Sequence, residues 1–319
     1  MGSHEQSPPS MKRTVFAVAI TLLFWSSAFT GIRIGLEGGY GAGGLVLLRF
    51  LSASLVFALY ALVKGVPIPS KKDTLQLALL GISGISIYHI ALTFGEEWVS
   101  AGTASLIIAA APIFTALVSL VALRERLNAL GWGGLALGFI GVAIITLGPQ
   151  SSSHYLRGAL LILLSAVSTA FYFVYQKPLL KRYGAIAVTA YVTWFGTVPM
   201  LWFTKGLFLQ MPHASVAATI AVIYIGVFPA AIAYVAWAVA LSGGRASGVS
   251  SALYLNPILA MIVAWFLLHE VPKWQAVLGG AVAILGVIVV NRSNTLSQRR
   301  RQRVTQVTDE ERNSAPLSS

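Results

Sequence analysis

The strongest constraint on this chain is that its two halves carry one pattern. Ala101 to Glu125, AGTASLIIAAAPIFTALVSLVALRE, is matched without a gap by Ala246 to Glu270, and the offset of 145 (257 minus 112) carries Pro112 onto Pro257, Ser105 onto Ser250 and Glu125 onto Glu270. The same offset takes Gly81 to Gly226, and Gly134, Ala136 and Gly141 to Gly279, Ala281 and Gly286. A period of nearly half the chain means one structural unit built twice.

That unit belongs in lipid. Of the 319 residues 56% are hydrophobic and 10% charged, where a soluble domain carries about 25% charged residues. Apolar runs long enough to cross a bilayer fall at 14–36, 44–64, 74–95, 100–121, 130–148, 157–178, 186–204, 214–240, 247–268 and 274–291. The expected fold is therefore all-α: a polytopic membrane protein of ten transmembrane helices, five in repeat 1 (14–148) and five in repeat 2 (157–291). Residues 1–13 form an N-terminal tail whose Met-Gly-Ser-His start reads as a cloning remnant, with Met11 as the native start; 292–319 is a polar, disordered tail. The first apolar run is too long for a signal-peptide core and reads as a retained span.

Orientation follows from the basic residues. Lys12, Arg13, Lys64, Lys71, Lys72, Arg124, Arg126, Lys181, Arg182, Arg245 and the residues from Arg292 onward all fall on one side of a ten-span arrangement, which places that side and both termini in the cytoplasm. Five spans per half is an odd number, so the second unit enters the membrane upside down. Inverted pairs of this kind hold a substrate cavity at their interface and open it alternately to each side.

Several chemistries drop out. Cysteine is absent, which removes disulfides, thiol catalysis and cysteine metal sites. The net charge of +12 sits at span ends and in the tail, where insertion explains it without nucleic acid. Gly39, Gly41 and Gly44 fit GxGxxG but no strand precedes them, and neither HExxH nor GxSxG occurs. No cofactor or metal is expected, and an intramembrane enzyme stays a distant alternative.

The candidate binding residues are polar and aromatic side chains at helical spacing: Ser165, Ser168, Thr169, Tyr172, Tyr175 and Gln176 on the sixth span, Tyr234 and Trp237 on the eighth, Ser247, Ser251, Tyr254 and Asn256 on the ninth. Trp25, Tyr88, His89 and Ser105 join them from the first half. In lipid a polar stripe faces the bundle interior, and rings with hydroxyls suit an amphipathic organic solute; helix packing and interfacial aromatic belts are the competing reading. His89 either binds substrate, titrates as a proton site, or packs. Pro112 and Pro257 are hinges or static bends. Arg33 and Arg49 are expected to snorkel to the outer interface, a gate or substrate-carboxylate role being the alternative, and no carboxylate is expected inside a span, which favours facilitated diffusion over ion coupling. Glu125 and Glu270 are expected to cap the helices that follow them. Gly134 with Gly138, and Gly279 with Ala283, are expected to pack the fifth and tenth spans.

The repeat, with WSSAF at Trp25 to Phe29, LRF at Leu48 to Phe50 and the doubled Pro and Glu, resembles the EamA module of the drug/metabolite transporter superfamily. Tyr88, His89 and the aromatics of the sixth and eighth spans are similar to those of YddG-type amino-acid exporters of Gram-negative inner membranes. The resemblance implies a monomeric ten-helix bundle in the bacterial inner membrane that exports aromatic and other neutral amino acids. Other metabolites, organic cations or drugs, carried with protons through His89, are the alternative cargo. Asn256 stands where the first half has Ala111, so the two cavity halves differ chemically.

Overall fold

The computed structural model describes residues 11–122, 128–147, 152–243, 252–290 and 292–293. Residues 1–10, Glu125, Arg245, Ser247, Ser250, Ser251 and the tail from 294 lie outside them. Among the described residues there are helices and no strands. Eight are long and apolar enough to cross a membrane: α1 (Lys12–Glu37), α2 (Ala42–Lys64), α3 (Lys71–Gly95), α4 (Ala101–Ala122), α5 (Ala129–Thr146), α6 (Ser153–Tyr175), α7 (Lys177–Gln210) and α8 (Val216–Ala240). Two shorter apolar helices complete the ten, α9 (Leu253–Leu268) and α10 (Trp274–Val290).

Short polar turns set the helix starts. The side chains of Ser70 and Ser215, one repeat apart, accept from the backbone N–H groups of Asp73 and Ala218 at 3.2 and 3.1 Å, and Ser100 and Asn128 do the same for α4 and α5. Each satisfies an N–H that the first helical turn leaves unpaired. α7 starts well before the apolar run at 186–204, because helix already forms at Lys177 and kinks at Gly184, whose φ of 76° glycine adopts at little cost. This amphipathic lead-in is tied down by Asp73, which takes an ion pair from Arg182 at 2.7 Å and a hydrogen bond from the Tyr183 hydroxyl at 2.7 Å.

The halves are interlocked. α1 packs on α8 and α9, while α6, its repeat equivalent, packs on α3 and α4, so each half lends its first helix to the other. The fifth helices meet antiparallel through small residues. A Cβ on Gly134 would lie 2.8 Å from the Gly286 carbonyl, and one on Gly279 would lie 2.7 Å from the Gly141 carbonyl. Gly134 and Gly279 are repeat equivalents, as are Gly141 and Gly286. The Gly134–Gly286 and Gly141–Gly279 contacts are therefore related by the repeat, as an antiparallel seam between inverted halves requires.

A second symmetric device lies in α3 and α8, which each contain a π-helical turn at the same register, Ile82–Ile87 and Phe228–Ile232. Widening a helix by one residue loosens its hydrogen-bond ladder and marks functional sites. The partner half supplies donors to the backbone there. Ser168 and Ser165 of α6 donate to the carbonyls of Ser83 and Tyr88 at 2.5 and 2.8 Å; Trp25 and Thr21 of α1 donate to those of Pro229 and Ala233 at 3.2 and 3.4 Å. Tyr88 and Ala233 are again one repeat apart.

Candidate functional site

The π-turns aim the residues that follow them at the interface between the halves. His89 and Tyr234 occupy the same repeat position, and the His89 Nε2 atom lies 3.1 Å from the Tyr234 hydroxyl. The pair thus sits where the pseudo-twofold axis crosses the molecule. Around it lies a cavity, open in part to solvent, bounded by residues of α1, α2, α3, α4, α6, α8 and α9.

Its wall is aromatic. The Trp25 ring meets Tyr234 edge to face at 5.3 Å, and His89 is held between Phe50 at 4.5 Å and Tyr88 at 4.4 Å. Pro112 and Pro257 bound the cavity at equivalent positions, with Ser105, Tyr254 and Asn256 beside them. His89 is 2% exposed and its Nδ1 has no protein partner; nor has the buried Oδ1 of Asn256. Among the described residues no group of three His, Asp or Glu side chains could hold a metal ion.

The remaining candidates lie elsewhere. Trp237 is buried behind the wall, packed on Trp25 at 5.5 Å and on Phe173 at 6.5 Å. Tyr172 is buried against Gly84 of α3, Gln176 is buried at the end of α6, and Tyr175 is 44% exposed on the outer surface. The sixth-span stripe therefore divides. Ser165 and Ser168 serve the backbone of α3, and of the six residues only Thr169 lines the cavity.

The charges depart further from expectation. Arg49 does not snorkel: it is 2% exposed, lies on the cavity wall, and its Nε and Nη1 have no hydrogen-bond partner. The missed signal was an arginine seven residues into α2, about 10 Å along the helix at 1.5 Å per residue, where an unpaired charge costs at least about 2.5 kcal/mol. Phe29, Phe173 and Leu253 also line the cavity without having been singled out; being apolar, they looked like any packing residue.

Glu96, one residue past α3, is fully buried with both carboxylate oxygens unpaired. Burial holds its carboxyl well above the usual carboxylate range against the opposing pull of Arg49 and Arg33. At this end of the bundle, away from the termini, Arg33 pairs with Glu37 at 2.8 Å and with Glu270 at 3.4 Å and donates to the Glu96 carbonyl at 2.8 Å. Glu270 does not cap the following α10. It accepts instead from the Ala101 N–H at 3.1 Å, capping α4 of the other half, because inversion brings those two helix ends together.

Comparison with known proteins agrees with this architecture. The EamA-like transporter family matches twice, over residues 12–147 and 156–292. "Uncharacterized transporter YdfC" of Bacillus subtilis is 40% identical over 276 residues, spanning 85% of this chain and 90% of that protein. "Probable terminal-alkyne amino-acid exporter" of Streptantibioticus cattleyicolor is 39% identical over 290 residues, spanning 91% and 97%. A solved crystal structure 19% identical superposes with a TM-score of 0.61 over 88% of this chain and 98% of its own, a likeness of fold. With ten apolar helices in two matched halves around a common cavity, the chain belongs to the EamA-like transporter family and is a multi-pass membrane transporter.

Proposed function

We propose that this protein exports amino acids, aromatic and other neutral ones, from the cytoplasm across a bacterial inner membrane, exposing a central site alternately to the two sides. The observation that carries the reading is the cavity at the His89–Tyr234 pair, where the repeats meet and aromatic rings stand beside buried polar atoms that lack partners. Such a wall suits a solute with an apolar body and a polar head. The relative bearing the name of an amino-acid exporter supports the same cargo. The basic residues on the side of the termini support cytoplasmic termini, and the cavity within one bundle supports a working monomer.

The lack of a carboxylate inside a span favours facilitated diffusion; Glu96, one residue past α3, is nevertheless fully buried and is a carboxylate that could carry a proton. Proton coupling, through Glu96 or through His89, is therefore the second reading. Uptake of radiolabelled tryptophan, threonine and a sugar nucleotide into proteoliposomes, with and without an imposed proton gradient, tests both. Amino-acid uptake indifferent to the gradient supports the facilitator; gradient-dependent uptake supports coupling. Uptake of the sugar nucleotide alone would overturn the cargo assignment.

A further inference from the structure

We propose that Arg49 is the carboxylate-binding residue of the cavity, so that the cargo must carry a single carboxylate on an apolar or aromatic body. The proposal rests on the cavity being the substrate site and adds which chemical group is recognised there and by what.

Arg49 is inside the protein, on the cavity wall, and not spent on structure. None of the ion pairs among the described residues includes it, and its Nε and Nη1 find no acceptor. Glu96 is within electrostatic range, yet both its oxygens are also unpaired, so the two do not satisfy each other. The Cζ atom of Arg49 sits 5.5 Å from the centre of the Phe50 ring, the ring that also packs on His89. A guanidinium held against an aromatic face keeps its edge N–H groups for a ligand, and that planar fork matches a carboxylate with two parallel hydrogen bonds. A membrane protein keeps an unpaired charge at depth only where it is used.

The repeat supplies an internal control. The equivalent of Arg49, 145 residues on, is Trp194, whose indole N–H donates to the Ser54 carbonyl at 3.2 Å. The fold therefore does not demand an arginine at this position, and the cavity has one such cation rather than a symmetric two. A dicarboxylate would leave its second charge unpaired. Trp25 and Tyr88, which also line the cavity, take the apolar body.

The test uses the purified full chain and three related probes: L-phenylalanine, 3-phenylpropanoate, which lacks the ammonium group, and phenethylamine, which lacks the carboxylate. The readout is ligand-induced thermal stabilisation in detergent, with proteoliposome uptake of L-phenylalanine alongside. Both carboxylates are expected to stabilise the wild-type protein and phenethylamine is not, a comparison that needs no variant. Arg49→Gln should raise the half-saturating concentration for 3-phenylpropanoate by about tenfold or more, the loss expected for a charged hydrogen bond, with Arg49→Lys in between. Phenethylamine matching 3-phenylpropanoate, an unchanged response in Arg49→Gln, or no response of the wild-type protein to either acid would each overturn the proposal. Phenylalanine transport that persists unaltered in Arg49→Gln refutes this inference and leaves the exporter reading intact. Arg49-dependent binding of 3-phenylpropanoate without amino-acid transport does the reverse.

Discussion

The α5–α10 seam makes a quantitative prediction. A Cβ built on Gly141 would lie 2.6 Å from the Gly279 carbonyl oxygen and 2.7 Å from the Ala283 Cα, and one built on Gly286 would lie 2.6 Å from the Gly134 carbonyl and 2.7 Å from the Gly138 Cα. The backbone nitrogens of Ala283 and Gly138 lie closer still, and backbone cannot rotate away, so a single methyl must push the helices apart by roughly 1 Å, at an overpacking cost of about 1–3 kcal/mol. Because the two sites are related by the repeat, Gly141→Ala and Gly286→Ala should cost nearly the same. The double variant should cost less than the sum, since helices already separated by the first methyl admit the second. Gly133 has nothing within 4 Å of its added Cβ, so Gly133→Ala is the control and should gain about 0.5–1 kcal/mol of helix propensity. Thermal and SDS unfolding midpoints in detergent measure all four variants. If Gly141→Ala tracks Gly133→Ala, or if the two seam variants differ widely, the antiparallel self-matched contact is wrong.

At the centre of the cavity, Tyr234→Phe removes the 3.1 Å contact with His89 and leaves both ring nitrogens of that histidine without a protein partner. A loss of about 1–3 kcal/mol in unfolding free energy, with lowered transport, is expected, and no change in either would remove the pair from the site. Glu96→Gln tests the buried carboxylate. Its folded-state pKa lies above the ordinary 4.5, so both states are protonated at acid pH and folding carries no penalty there. As pH rises above that value the unfolded chain releases its proton first, and stability falls. The variant should flatten the decline in melting temperature as pH rises above the ordinary carboxylate value; a parallel decline in the variant would show that Glu96 does not contribute to it. Glu270→Gln keeps a cap acceptor for Ala101 but loses the ion pair with Arg33, and should cost about 0.2–1 kcal/mol in a salt-dependent manner. Insensitivity to salt would mean that Glu270 serves as a cap alone.

Fold and site were legible in the sequence to different depths, for physical reasons. Spans follow from hydropathy because lipid leaves a backbone no other partner, and the repeat offset brings His89 onto Tyr234 before any coordinates exist. Which helix face turns inward is set by packing against other helices, and periodicity on a single span does not record it. Ser165 and Ser168 looked like cavity polar groups but answer the π-turn of α3, a feature without a sequence signature. Snorkelling is the default for an arginine within about two turns of a helix end, and the sequence does not record that this face of α2 lines the cavity, where Arg49 is buried.

The non-identical pair on the pseudo-axis has a consequence for resting behaviour. Two identical halves would make the forms open to either side mirror copies of equal free energy, and an empty carrier would divide its time evenly between them. Here His89 answers Tyr234, Ala109 answers Tyr254 and Ala111 answers Asn256, all on the cavity wall. On the alternating-access reading proposed above, exchanging the conformations of the halves would place different chemistry in each role and lift the degeneracy at the proposed site. About 1.4 kcal/mol between the two forms sets a tenfold resting preference, an amount comparable to one hydrogen bond. On that reading, the divergence of these three positions would give the unloaded transporter a side on which to wait.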